Sequence, residues 1–531
     1  MKAIHYILGV AICSMAACTD WDDHYDGELA EGGSMTLWEQ MQQRPELSDF
    51  CEVLEHTKLF RMHKKTNASY AEILNSGQSF TVMAPVNGTF DKQAYIDQTA
   101  TDKGDSIVEK FFVLNHIARS ANSVTSAEKN ILMMNNKRAS LSLDGINNVK
   151  IKENNLHAKN GILHIVSEKL PYYYNLYEQM TDREEFKAIG DFIRSYDRDE
   201  FDENNSVQNG TVDGVPVYID SVIIERNDFL NNVLRAKLTS EDSTYWMVAP
   251  KAEGWRKAYD EACSYFNYSS KEEKRDSLQR LYATYALLFD GIYSMTTQAA
   301  PNDSLCSLTY TQSEPQYSVF HKPFEPGGIL STATATTSSN GILYETEEWP
   351  FTPLQTYFRE LEIEGEYTSY IIKAEKCTYT SRQLDADSIS NGAYLDIEPS
   401  SNTANWSVTF RLSSTLSARY DVCAIILPRS ITDPNAEKYT SCQFKAEVGY
   451  IDANGNKKTF NCGNKKFHND PVRVDTVVLA EDFEFPVCNR YDTANDDITL
   501  KLTCQMTASE GKKYTRPIYI DCIYLRPKTK E

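Results

Sequence analysis

Three observations predict a multidomain chain, α+β through its first two thirds and all-β in its last. A stretch with the character of a buried strand, stopping at Ala-Pro, occurs twice, as 79–90 and as 244–255. The tetrad Asn-Gly-Ile-Leu also occurs twice, at 160–163 and 340–343. Beyond residue 366, apolar and polar residues alternate in run after run, the period of a half-buried strand. A length of 531 residues leaves room for about three domains. With 41% hydrophobic residues, the chain can fill real cores. A net charge of −21 lacks the basic footprint a nucleic-acid partner needs. It equally excludes docking of the folded part onto anionic lipid.

Residues 1–17 read as a cleavable export signal: Met1-Lys2 is positive, and Ile4 to Ile12 is mostly apolar but too short to span a bilayer. Ser14-Met15-Ala16-Ala17 before Cys18 resembles a bacterial lipobox, which implies a lipidated Cys18 and a membrane reached through that anchor. Residues 18–34 form an acidic tether. Its opening, Thr19-Asp20-Trp21-Asp22-Asp23, resembles the surface-export signal of Bacteroidetes lipoproteins and implies an outer-membrane protein displayed at the cell surface.

Each repeat opens alike, Leu37-Trp38-Glu39-Gln40-Met41 and Leu176-Tyr177-Glu178-Gln179-Met180. Helical spacing follows in Leu47, Phe50, Val53, Leu54 and Leu59, and again in Phe186, Ile189 and Ile193. Pro85 and Pro250 suit a strand end, because proline has no N–H for the ladder and fixes φ as the chain leaves. A polar turn comes next, then an aromatic anchor, Phe90 or Trp255, for a helix. Asn160-Gly161 and Asn340-Gly341 are hairpin turns, since both residue types tolerate positive φ.

Phe80-Thr81-Val82-Met83-Ala84-Pro85-Val86-Asn87 with Phe90 resembles the first box of fasciclin-like (FAS1) domains, with Val86 standing for the usual threonine. Phe111 to Ile117, containing His116, resembles the second box, and Asn160 to Val166 the closing strand. Residues 35–175 are therefore similar to one FAS1 domain. Residues 176–355 resemble a divergent second, with Tyr245, Ala249, Pro250, Trp255, Asn340 and Gly341 at matching places. In that copy Lys251-Ala252 replaces Thr-Asn, and Leu288 to Ile292 lacks the histidine. Insertions are read at Asp197 to Ile224 and Thr296 to Asn340, and the run Ser331 to Ser339 within the second is expected as a mobile loop. The resemblance implies two β-wedges and a role in adhesion or extracellular binding, with the box residues structural and some open to ligand.

Pro353 to Leu361 reads as a short helix. Residues 366–531 then give about eight strands, the number of a two-sheet jelly roll. The ending Ile518 to Pro527 resembles the last strand of galactose-binding-like or carbohydrate-binding sandwiches. Trp406 and most of the seven cysteines there are expected as buried hydrophobes. Since seven is odd, they cannot all pair within the domain.

Catalytic signatures are missing: there is no Gly-x-Ser-x-Gly elbow, His-Glu-x-x-His helix, phosphate loop or dinucleotide fingerprint. No CxxC suggests zinc, and no cofactor is indicated. His116 is read as a half-buried imidazole bonded to backbone, the alternative being part of a ligand surface. Asp197 to Asn205 has the oxygen density of a calcium loop without its glycine or closing glutamate, and reads as a solvated loop. Adjacent Glu347-Glu348 point to opposite faces of a strand and cannot share one substrate bond. Tyr172-Tyr173-Tyr174 and Tyr177 are expected to join the repeats. The function that fits is a non-catalytic surface lipoprotein binding a glycan or protein ligand. The alternative is an accessory subunit of a SusC/SusD-type outer-membrane transporter. A hydrolase would need two carboxylates facing across a cleft.

Overall fold

A computed structural model describes residues 33–61, 64–212, 215–295, 304–307, 318–463, 466–490 and 496–529, with backbone alone over 202–224. The export signal, Cys18 and all but the end of the tether lie outside the described residues, as does much of the insertion read from Thr296.

The first unit is built on the strand Phe80–Pro85, buried at every residue. A strand buried on both faces suits a parallel partner, and Gly161–Val166 runs parallel to it from Phe80↔Gly161 to Pro85↔Val166. Ile117–Arg119 and Ile151–Ala158 complete a four-stranded sheet around this pair. The helices Leu37–Gln42 and Ser48–His56 cover it, burying Leu37, Met41, Phe50, Val53 and Leu54. Thr36 and Glu39 form a capping box that starts the first helix. Pro85 ends the ladder, and Val86 N–H donates to Val166 O at 3.3 Å as the chain turns away.

The second unit repeats this arrangement. Its sheet has the same order, Ile292–Ser294, Tyr245–Pro250, Gly341–Thr346, Thr334–Ser338. The parallel register is also the same, Tyr245↔Gly341 through Pro250↔Thr346. Asn175 and Glu178 cap the helix Leu176–Asp182 as Thr36 and Glu39 cap theirs. Phe80 and Tyr245 thus hold equivalent places. The helix Ala252–Cys263 follows the corner with Trp255 in its first turn, and Arg275–Asp290 packs on it.

Two expectations in this unit are corrected. Within Ser331 to Ser339, residues Thr334–Ser338 form an ordered strand paired with Gly341–Thr346. The alternating threonines favour extended backbone, and the Asn-Gly turn delivers them to an available edge. Asp197 to Asn205 is likewise no loop: it begins the strand Asp197–Val212, which pairs with Val215–Asn227 as a two-stranded ribbon. The β-branched content of 215–224 (Val215, Val217, Ile219, Val222, Ile223, Ile224) supplies the strand propensity that the acidic half lacks.

The remainder is a sandwich of two antiparallel sheets, six strands in each, more than the eight or so expected. Leu361–Glu364 pairs with Ile518–Lys528, so the sandwich begins ahead of residue 366. Pro353 to Leu361 is a single 3-10 turn, Pro353–Gln355, rather than a helix. Thr352 and Gln355 close that turn, and sheet pairing then captures the chain at Leu361. Trp406 is wholly buried, its indole N–H donating to Arg516 O at 2.8 Å. The ten cysteines among the described residues form no disulfide, and seven of them are buried.

Both junctions are packed. Phe111 meets Tyr172 edge-on at 4.6 Å and Tyr174 at 5.6 Å. Beside them Lys137, buried, reaches Glu178 at 2.9 Å and Glu241 at 3.0 Å, and Lys110 reaches Glu178 at 2.7 Å. Tyr172 and Tyr174 therefore join the first two units, while the Tyr177 hydroxyl turns to Asp197. At the other junction Tyr265 and Phe266 pack on Tyr357 and Phe358, and Phe358 on Tyr420. The second unit and the sandwich consequently share one hydrophobic core.

Candidate functional site

The box residues act as structure. Phe80, Ala84, Ala249, Tyr245 and Trp255 are buried in their sheets and helices, and so are Pro85 and Pro250. Asn160 Oδ1 accepts from Leu37 N–H at 2.8 Å, and its Nδ2 donates to the carbonyls of Leu74 and Ser76 at 2.8 and 2.7 Å. Asn340 makes the matching set with Leu176 N–H, Leu238 O and Ser240 O, at 2.8, 2.8 and 3.0 Å. Gly161 and Gly341 have φ of +145° and +151°, and a Cβ on either would lie 1.9 Å from the carbonyl oxygen of Phe80 or Tyr245. Asn87 is half-exposed, but Nδ2 is tied to Pro45 O and Ser48 Oγ. Half-buried Phe90 packs on Tyr95 and Phe112.

His116 is fully buried, not half-buried as expected. Nδ1 donates to Phe112 O at 2.7 Å and Nε2 accepts from Leu170 N–H at 2.9 Å, which fixes a neutral tautomer. Burial holds its pKa down at about 4. It braces the second box, and Gly291 takes its place in the second unit: Met83 N–H bonds His116 O as Val248 N–H bonds Gly291 O.

Solvent-facing chemistry lies instead on the outer face of one sandwich sheet. Residues opposed in an antiparallel pair share a face. The register Thr380↔Asp396, Asp396↔Tyr519 and Tyr519↔Leu427 lays one row across four strands. Arg382 and Tyr394 oppose each other beside it, and Glu398 lies two residues from Asp396 on the same face. Leu395, Ile397, Ile426 and Ile520 point the other way, into the core. Tyr394, only 5% exposed, and Tyr519 stand edge-on at 6.0 Å within a small apolar cluster that includes Leu427 and Ile389.

Polar groups in this row are under-used. Asp396 is only 6% exposed; Oδ2 accepts from Arg382 Nε at 2.6 Å, while Oδ1 is buried with no partner. Arg382 is about half exposed (55%), with only Nε engaged. The Tyr394 and Tyr519 hydroxyls and the half-buried Glu398 carboxylate have no hydrogen-bond partner among the described residues. Burial, then Asp396, raises the Glu398 pKa. Burial, then Glu398 and Asp396, pushes the Tyr519 phenol up to about 12. Beside the buried Tyr394 and Asp396, the row presents the Arg382 guanidinium, the Tyr519 phenol and the Glu398 carboxylate, a set that can hydrogen-bond a polyhydroxylated ligand and place it against a ring.

A hollow of about 680 Å3 lies in the first unit between Gln40, Gln43, Arg44, Glu46 and 155–157. Its cation is already committed, Arg44 to Glu46 and Glu153, and no phenylalanine, tyrosine or tryptophan lines it. Among the described residues no cluster of three or more His, Cys, Asp and Glu is arranged to hold a metal, and no helix is long and apolar enough to cross a membrane.

Residues 54–171 match the Fasciclin domain. That span holds the first-unit sheet, His116 and the Asn160-Gly161 turn. Among solved structures, a FAS1 domain pair from the insect cell adhesion molecule Fasciclin I is similar at 11% identity over 52% of this chain and 90% of that one, with a TM-score of 0.19. The CBM22-1–GH10 modules of Clostridium thermocellum xylanase 10B match at 11% identity and TM-score 0.21, over 32% of this chain. This chain spans only 29% of that one. The C-terminal family 22 carbohydrate-binding module of the same xylanase matches at 11% identity and TM-score 0.20, over 31% of this chain and 91% of that one. No curated protein matches the chain.

Nothing in the sequence marked the outer-face row. Its members lie at 382, 394–398 and 519, and only sheet pairing brings them together. The alternation that makes both strands legible does not say which strands are neighbours.

Proposed function

We propose that this is a non-catalytic binding protein, anchored by lipid at Cys18 to the outer membrane of a Bacteroidetes-type cell and displayed outward. The residues behind the Fasciclin match form a second, divergent copy of that domain. The two copies act as a rigid stalk, and the sandwich binds a glycan with the face bearing Arg382, Tyr394, Asp396, Glu398 and Tyr519. The observation that carries the binding reading is the row of polar groups without protein partners, one of them a buried carboxylate oxygen. Such a group costs free energy unless something donates to it. The Fasciclin match supports an adhesion-like role.

Because the sandwich shares its core with the second unit, the test uses the whole chain. Affinity electrophoresis through gels containing plant, fungal and mucin polysaccharides should retard it. Arg382→Ala should weaken the retardation about tenfold, the worth of a charge-assisted hydrogen bond of about 1.5 kcal/mol. Release of reducing ends from a retained polymer would replace binding with hydrolysis. Protease shaving of intact cells should remove the chain if it is displayed outward.

A further inference from the structure

Resting on that binding reading, we infer that the outer-face row takes neutral, hydroxyl-rich glycans and turns away acidic ones. The acceptors at its floor are two carboxylates on one face of one strand, Asp396 and Glu398. Asp396 is committed through Oδ2 to Arg382, so the local positive charge is already balanced. The next guanidinium, Arg429, is engaged by Asp433 at 3.0 Å. A uronate or sulfate entering here would meet Glu398, whose charge Arg429 and Arg382 offset only in part, above the buried orphan Oδ1 of Asp396. The whole chain, at −21, adds repulsion of the same sign. A sugar hydroxyl instead donates to a carboxylate and accepts from a guanidinium or phenol, which satisfies every group in the row. Like-charge juxtaposition is the stronger discriminator here, because rejection through an unpaired or opposed buried charge exceeds what one extra contact gains.

The experiment measures retention of the full chain on matched neutral and acidic polysaccharides, such as a β-glucan beside a polyuronate and a sulfated glycan, at low and high salt. The expected result is retention on neutral polymers only, unchanged by salt and lost, at least tenfold, in Tyr519→Ala. Glu398→Gln, at a half-exposed side chain, should gain retention on the acidic polymer relative to the neutral one. Retention of the native chain on acidic polymers that Tyr519→Ala abolishes would overturn the charge selectivity alone. Retention on neither class would overturn the binding reading and this inference with it. Circular dichroism of both variants separates loss of ligand from loss of fold.

Discussion

Asn160 and Asn340 do in one side chain what neighbouring elements cannot do for themselves. Each accepts from the first backbone N–H of a helix and donates to two carbonyls of the segment before the corner strand. Removing the amide orphans three groups, two or more of them buried, at roughly 1–3 kcal/mol for a buried unsatisfied polar group. Asn160→Ala should therefore lower stability by about 3 kcal/mol in urea denaturation, and Asn340→Ala by a similar amount. Asn→Asp at either site should be no better, since it sets a carboxylate against two carbonyl oxygens. A loss under about 1 kcal/mol at one site only would break the equivalence of the two turns. Gly161→Ala should also fail to fold normally, because its Cβ would collide with the Phe80 carbonyl at 1.9 Å.

At the scale of elements, the corner strands, hairpin turns and the helices behind each opening motif were legible because local residues fix them: a buried apolar run, a proline, an Asn-Gly pair, apolar residues at helical spacing. The Thr334–Ser338 strand and the ribbon at 197–227 were not, since a polar strand looks like a loop until its partner is known. The outer-face row failed for the same reason at longer range. The aromatic cluster Tyr172 to Tyr174 was legible as glue, but not the ions beneath it. Lys137 and Glu178 are both nearly buried, at 7% side-chain exposure each, with Glu241 at 11%. Glu178→Ala leaves the ammonium with less compensation, and a broken buried pair costs about 3–5 kcal/mol. The expected readout is a lower denaturation midpoint together with new protease cleavage between the first two units. The double change Lys137→Met with Glu178→Leu should recover only part of the loss, because Glu241 then loses its ammonium and the Asn175 capping box stays broken.

In the whole molecule, the buried histidines of the first unit and the raised carboxyls of the sandwich respond to acid with opposite sign. Glu109 of the first unit, raised by burial, and His468 of the sandwich, lowered by it, oppose each trend. In the first unit, His116 titrates at about 4 against an ordinary 6.5, and burial lowers His164 as well. Their neutral forms are favoured on folding, so the stability they give is present above pH 6.5 and is lost as pH falls toward 4. In the sandwich, burial raises Glu364 and Asp521 to about 6, and at its border Asp290 to about 6 despite Ser318 and Arg359. Glu364 and Glu366 each keep a buried oxygen without a partner. For these raised carboxyls the contribution is full below the unfolded value near 4 and is lost as pH rises through 6. Calorimetry of the full chain should show two transitions rather than three, since Tyr265 and Phe266 fuse the second unit to Tyr357, Phe358 and Tyr420 of the sandwich. Moving from pH 7 to pH 5 should lower the transition of the first unit and raise the other. Phe358→Ala, by emptying that shared core, should lower the second transition as one block, at a cost of about 3–5 kcal/mol. Separate melting of the second unit and the sandwich, or acid shifts of one sign in both transitions, would show that the core is not shared or that these buried groups do not set the response.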